Sequence, residues 1–422
     1  MKLEVKASTL VSLFTLIGLL FISGIIHFVS RSLTGGGGGG GGMESTIANT
    51  EGNPINKLIG TGLLLTCLFF SIKYKLLLNK DFIYRNFWVF IFVTFILISY
   101  FWSVEPSTTF KRSIFLLSMV FFAGYLSRFY TITTIFTYLG YLIALTAVIG
   151  LMRAILFPSE AFLNGGIRDG AFLGMFIEKN GGARRYMFGI LLLLPAIYSH
   201  NRKALLAAGI CLLCLLMARS ASSIVLLTIA LGTVTYLNQI VLTKQYNLNN
   251  SRYWLGILFY FIGLLIAYQA YEFILFLVGR DATLTDRTVI WEILIPLIQD
   301  KITLGYGYGA FWSSYGAEEF MESWGYVGNA HNGYLEILLH GGLPFLILFC
   351  LMVIKGFVGA VNNASCVQYT KEYNVCIAII VMLLISNFIA YSLPNHNSFD
   401  FFIFMVIMFY VNKRPGARQY DK

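Results

Sequence analysis

The sequence predicts an all-α, polytopic transmembrane protein, and three observations carry that expectation. Of the 422 residues, 57% are hydrophobic and only 12% charged, against roughly 25% charged in an ordinary soluble domain. The apolar residues are gathered into runs of about 17–25 with almost no charge, the length needed to cross about 30 Å of hydrocarbon. The basic residues alternate between successive connections. Runs of this length in lipid must be helical, because only a helix pairs all its own backbone N–H and C=O groups there. The short apolar–polar alternation of a membrane β-barrel is not seen.

Twelve spans are expected, at approximately 9–29, 58–73, 87–103, 113–127, 134–152, 186–199, 204–218, 223–243, 253–278, 335–358, 374–392 and 398–412. The second, fourth, sixth and seventh are short, so a broken or half-inserted helix is expected among them. With both termini cytoplasmic, the inner connections hold 17 of the 30 Lys and Arg but only Glu4, Asp81, Glu372 and Asp421 of the 20 acids. This is the positive-inside pattern of an inner (cytoplasmic) membrane protein, and it puts the long connections 153–185 and 279–334 on the outer side. It also explains the net charge of +10 without a nucleic-acid partner.

The first run follows a basic stretch as a signal peptide does, but its length and the lack of a small-x-small site favour a retained span. Gly35–Gly42 then falls in an outer loop, 35–57, whose uniform glycine reads as flexible linker; no function is assigned to it. Cys211 and Cys214 have a redox-like spacing, yet lie inside an apolar run and read as packing residues. Ionisable groups near the spans are few, chiefly Glu272, Glu336 and Asp400, so nothing argues for ion-coupled transport. The whole chain, 1–422, reads as one integral membrane domain.

Chemistry is therefore expected in the two long outer loops. In 279–334, Thr283-x-x-Asp286 resembles a capping box ahead of the apolar segment Val289–Ile298, which reads as a short helix on the membrane surface with Arg280 and Arg287 at its start. A helix N-terminus flanked by arginine suits phosphate; the plainer reading pairs Arg280 with Asp281 or Asp286. Gly305-Tyr-Gly-Tyr-Gly309 followed by Ala310, Phe311 and Trp312 reads either as an interfacial aromatic turn or as a flat platform for sugar or lipid. His331 sits where the loop enters a span and can reach both water and the bilayer surface, as a general base would need; a hydrogen-bonded boundary histidine is the plainer reading. His340, within the span, reads as structural. In 153–185, Arg168, Lys179, Arg184 and Arg185 form a candidate anion site or a headgroup contact. No metal-ligand spacing is present, so no metal is expected.

Taken together, several segments resemble the O-antigen ligase and polymerase superfamily, most of all its exopolysaccharide-polymerase branch. They are Trp102-Ser-Val-Glu-Pro106 with Thr109-Phe-Lys-Arg-Ser113, Lys179-Asn180-Gly181, Ser220-x-Ser222-Ser223, the stretch from Gly279 through Arg287 to Trp291, Gly305-x-Gly-x-Gly309, and His331-Asn-Gly-Tyr-Leu-Glu336 with Gly341-Gly-Leu-Pro344. The resemblance covers residues 102–344. It implies a GT-C-like helical fold and glycosyl transfer from an undecaprenyl-pyrophosphate-linked oligosaccharide donor to a glycan acceptor, without metal or other cofactor and with inversion. It implies His331 and Arg287 as catalytic residues, with Arg280 and one of Arg184 and Arg185 holding the pyrophosphate; Lys179, Asn332 and Tyr334 are expected beside them as substrate-binding residues. Membrane lipid and a chain-length regulator protein are the implied partners. Polymerisation of repeat units is the favoured activity, and transfer of a finished chain to lipid A-core is the alternative. A non-enzymatic transporter of lipid-linked oligosaccharide leaves His331 without a role.

Overall fold

The structure, a computed structural model, describes residues 2–33, 54–73, 79–165, 169–245, 285–314, 320, 328–364 and 370–412. The glycine tract, Arg168, the ninth expected span, Arg280 and Thr283 lie outside the described residues. Among the described residues the fold is helical, and extended pairing is limited to an isolated bridge between Phe162 and Phe172.

The helices in chain order are α1 (Lys2–Ser23), α2 (Ile25–Leu33), α3 (Pro54–Lys73), α4 (Lys80–Arg85), α5 (Phe87–Ile98), α6 (Pro106–Phe129), α7 (Ile132–Leu156), α8 (Pro158–Ala161), α9 (Lys179–Tyr198), α10 (Arg202–Met217), α11 (Ala221–Gln245), α12 (Thr285–Asp300), α13 (Gly333–Ala364), α14 (Thr370–Ile389) and α15 (Phe399–Val411). Every expected span other than the ninth coincides with a helix. Among the described residues, five stretches are long and apolar enough to cross a membrane: Pro106–Phe129, Ile132–Leu156, Ala221–Gln239, Gly333–Ala364 and Lys371–Ile389. The protein is a polytopic helical membrane protein.

Local chemistry sets the helix ends. Asn79, Thr131, Asn201 and Ser398 each accept a backbone N–H of the first turn through the side chain, the role for which short polar residues are favoured. Pro106 opens α6, where its missing N–H costs nothing.

Three expectations need correction. The first span is divided at Gly24, whose φ of +90° interrupts the helix between α1 and α2. Arg184 and Arg185 do not lie in a loop; they occupy the second turn of α9. Partners within the protein satisfy their charges, so water need not. The tenth span is broken at Gly341 and Gly342, the latter with φ +63° and ψ −158°.

The centre of the bundle is built from α9 and α15. From Tyr186 to Ala196 every residue of α9 is buried, and in α15 every residue except Tyr410. A helix that is apolar on all sides belongs in such a position. Connections sort to two ends. At one, Trp102 Nε1 donates to Leu304 O at 2.7 Å, Val104 N to Tyr306 O at 3.0 Å, and Arg219 Nη1 to Asp169 O at 3.4 Å. At the other, Asn412 meets Asn86, Asn374 meets Asn238, and Lys371 lies over the Tyr198 ring. The first set joins described segments assigned to the outer side by charge, and the second joins described segments assigned to the inner side.

Candidate active site

The site is organised around residues 387–400, the short connection from α14 to α15. Asn387 Oδ1 accepts the N–H groups of Ser392 and Leu393, at 3.2 and 2.9 Å, and so folds the connection back on the end of α14. Four distant elements attach to it. Arg184 Nη1 of α9 donates to Ser392 Oγ at 2.7 Å and to Asp400 Oδ2 at 2.8 Å. Arg287 Nη1 of α12 donates to Ile389 O at 2.7 Å. His340 Nε2 of α13 pairs with Tyr391 Oη at 2.8 Å. Tyr308 Oη donates to Pro394 O at 3.2 Å.

The glycine–aromatic turn 305–309 is neither an interfacial anchor nor an open platform. Tyr308 is 1% exposed and Phe311 is fully buried, and the turn is wedged against the break in α13. There Tyr306 N donates to Leu339 O (2.7 Å), Gly307 N to His340 O (3.2 Å) and Leu343 N to Ile302 O (2.7 Å). The turn thus takes up the backbone groups that the break releases, as any non-helical backbone within a membrane requires. Gly305 (φ +64°) lies so close to the backbone at Leu339–Gly341 that a Cβ has no room. Its residue type is dictated by contact as well as by conformation.

The helix expected after the capping box is α12. Ile290, Leu294 and Ile298 form one buried face against Phe311, Trp312, Ala330 and Leu339, which places Arg287 in the first turn. The 331 segment is held from both sides. Trp291 Nε1, one turn beyond Arg287, donates to Ala330 O at 2.8 Å. Asn329 Oδ1 accepts His331 N at 2.9 Å. His331 itself has φ +50°. Burial, and secondly the charge of Arg287, push its pKa from the ordinary 6.5 down to about 4. The imidazole is neutral at physiological pH and able to accept a proton.

The remaining expected residues are engaged as follows. Asn332 Oδ1 caps α13, accepting from Tyr334 N at 2.9 Å and Leu335 N at 3.3 Å. The Tyr334 hydroxyl donates to Leu384 O at 2.9 Å and its ring lies 4.5 Å from that of Phe388. Lys179 Nζ donates to Arg219 O at 3.4 Å, beside a Ser220–Asn180 contact of 3.2 Å. Arg185 Nη1 donates to Ser23 O at 2.9 Å, with its guanidinium over the Phe176 ring at 5.0 Å and the Phe399 ring at 5.9 Å. His340 is a structural residue, 1% exposed, whose Nδ1 accepts Gly309 N at 3.3 Å.

The sequence reading missed the connection itself, with Asn387, Tyr391 and Ser392, and also Arg112, which donates to Gly309 O at 2.6 Å. Their signals were weak. Polar residues between two apolar runs look like any short loop, and nothing local ties Ser392 to an arginine 208 residues away.

Residues 187–350 match the protein family described as "O-Antigen ligase". The chain is also 28% identical over 322 residues to the exopolysaccharide production protein ExoQ of Rhizobium meliloti (strain 1021), a match spanning 72% of this chain and 71% of that protein. Both findings agree with the resemblance carried by the motifs.

Proposed function

We propose that this chain is a member of the O-antigen ligase and polymerase superfamily, a reading that the two matches support, and that it polymerises lipid-linked oligosaccharide repeat units on the outer side of the cytoplasmic membrane. The observation that carries the reading is a partly buried, neutral His331 held at φ +50° near enough to Arg287 to feel its charge. The donor is an oligosaccharide on undecaprenyl pyrophosphate and the acceptor a sugar hydroxyl of another repeat unit. The acceptor oxygen attacks the anomeric carbon while the bond from that carbon to the pyrophosphate oxygen breaks. The hydroxyl proton passes to His331, and undecaprenyl pyrophosphate leaves with the bonding pair. A single displacement inverts the anomeric centre.

Arg287 stabilises charge that grows on the pyrophosphate as the bond breaks, the type of interaction that lowers a barrier most. Of the arginine pair on α9, Arg184 is already matched by Asp400. Arg185 is the better donor contact, because its hydrogen bond goes to the Ser23 carbonyl, whereas Arg184 makes the direct ion pair with Asp400. Lys179 and Arg280, the latter outside the described residues, are the further basic residues for the donor's phosphates. The relative named for exopolysaccharide production favours chain extension over transfer to lipid A-core, and a chain-length regulator is the natural partner of such an enzyme.

The test is to incubate the purified protein with one lipid-linked repeat unit and resolve the products on a gel. A ladder of longer products is expected. Transfer to lipid A-core with no ladder makes the protein a ligase, and a ladder undiminished in Arg287→Ala and His331→Ala proteins overturns the site.

A further inference from the structure

Glu336 lies one turn inside α13 and is fully buried. Nothing in the transfer chemistry uses it. A carboxyl group so placed must be held by hydrogen bonds or it destabilises the fold. One of its oxygens, Oε1, accepts two: Ala330 N–H at 2.6 Å and Trp312 Nε1 at 2.8 Å. The other, Oε2, makes no hydrogen bond among the described residues and lies 3.7 Å from His340 Nε2.

Ala330 is the residue that delivers the chain into His331, through the two successive peptide groups that meet at it. Its N–H is taken by Glu336, and its C=O by Trp291 on the helix that carries Arg287. Ala330 is itself fully buried, so neither group has water to fall back on. His331 directly after it stands at φ +50°, a conformation that a non-glycine residue keeps only when its surroundings fix it. Asn329 supplies the third contact, to His331 N.

We propose that Glu336 is the positioning residue of the site: with Trp291 it grips Ala330 by its N–H and its C=O, holds His331 in its left-handed conformation, and fixes it near Arg287. Gly309 N donates to His340 Nδ1, so the proton of the neutral His340 ring is on Nε2, directed to Tyr391. The neighbouring histidine therefore asks nothing of the Glu336 charge. What the site needs from residue 336 is one acceptor oxygen at the right place, and a glutamine amide supplies it.

The proposal rests on the reading of His331 as the base, and the test separates the two. Glu336→Ala, Glu336→Gln and Trp291→Phe proteins are compared in the chain-extension assay, with thermal unfolding in detergent as a check on folding. The reactivity of His331 toward diethyl pyrocarbonate, mapped by mass spectrometry, is followed as a readout independent of activity. Glu336→Ala is expected to lower kcat about 100-fold with KM for the donor within about threefold, and to change the His331 modification rate several-fold. Glu336→Gln is expected to stay within about threefold of the parent in both readouts, and Trp291→Phe to lose about tenfold in kcat.

If Glu336→Gln is as inactive as Glu336→Ala while folded, the carboxylate acts through its charge or proton and the positioning role is wrong. If Glu336→Ala leaves both kcat and His331 reactivity unchanged, the grip on Ala330 is immaterial. Should His331→Ala remain active, it is the reading of the base that fails, and the modification rate still reports whether Glu336 holds the imidazole.

Discussion

His331 combines a strained backbone with a partly buried imidazole that resists protonation. The pKa of about 4 keeps the imidazole neutral but also makes it a weak base. Its second cause is the positive charge of Arg287, and a pyrophosphate bound there removes that effect. The pH profiles should therefore differ. The acid limb of kcat/KM, which reports the free enzyme, is expected near pH 4, and the limb of kcat, which reports the loaded one, at higher pH. Coincident limbs in a steady-state pH series would show that donor binding does not act on His331. Loss of the base itself should cost about 10²–10⁴-fold in rate. A different outcome is expected at Arg184, which pairs with an Asp400 carboxylate only 5% exposed. Arg184→Ala should lower stability by about 3–5 kcal/mol, because it leaves a buried charge unmatched; thermal unfolding in detergent reads the loss. His331 and Arg287 were legible in the sequence, since each is a chemically able residue where a polar stretch meets an apolar or capped one. The Arg184–Asp400 pair was not. Its partners are 216 residues apart, and either alone looks like a boundary charge.

At the scale of elements, the apolar runs foretold the helices well because hydrocarbon leaves the backbone no alternative. They said less about where helices break. The interruption at Gly24 falls inside an apolar run, where single glycines are common, and the Gly341–Gly342 pair, between His340 and Pro344, falls inside a stretch otherwise long and apolar enough to be one span. What makes Gly342 a break is its left-handed φ and its closeness to the backbone at Ile302 and Thr303, a long-range fact. Gly342→Ala is expected to be destabilising by at least about 1–3 kcal/mol, from strained backbone and overpacking together. Gly62, which has open space around it, is the control: Gly62→Ala should be neutral or slightly stabilising through helix propensity. Folded yield after detergent extraction and the unfolding midpoint distinguish the two. An unchanged midpoint for Gly342→Ala would mean that α13 is not broken there.

For the whole molecule, the charge count along the sequence assigned connections to sides, and the contacts sort them to the same two ends of the bundle. The expected topology is open to a direct measurement. In a background stripped of its native cysteines, Asn164→Cys and Asn395→Cys should react with a membrane-impermeant maleimide added to spheroplasts, and Asn201→Cys only after the membrane is opened. Labelling of Asn201→Cys in intact spheroplasts would invert the orientation and move the site to the cytoplasm. The centre of the molecule was less legible. That α9 and α15 are enclosed on all sides cannot be read from hydropathy, which scores a residue facing lipid and one facing protein alike.

The turn at 302–309 has a bearing on how such proteins can be re-engineered. Loops on the face of a membrane protein are the natural parts to exchange between relatives when a new sugar preference is sought. Here one stretch of the loop is also the hydrogen-bonding complement of a broken transmembrane helix, through Ile302, Tyr306 and Gly307. A graft that replaces all of 279–334 removes the partners of Leu339, His340 and Leu343 at the break in α13, and the recipient pays in folding before specificity is ever assayed. Exchanges confined to either side of residues 302–309 leave that complement in place.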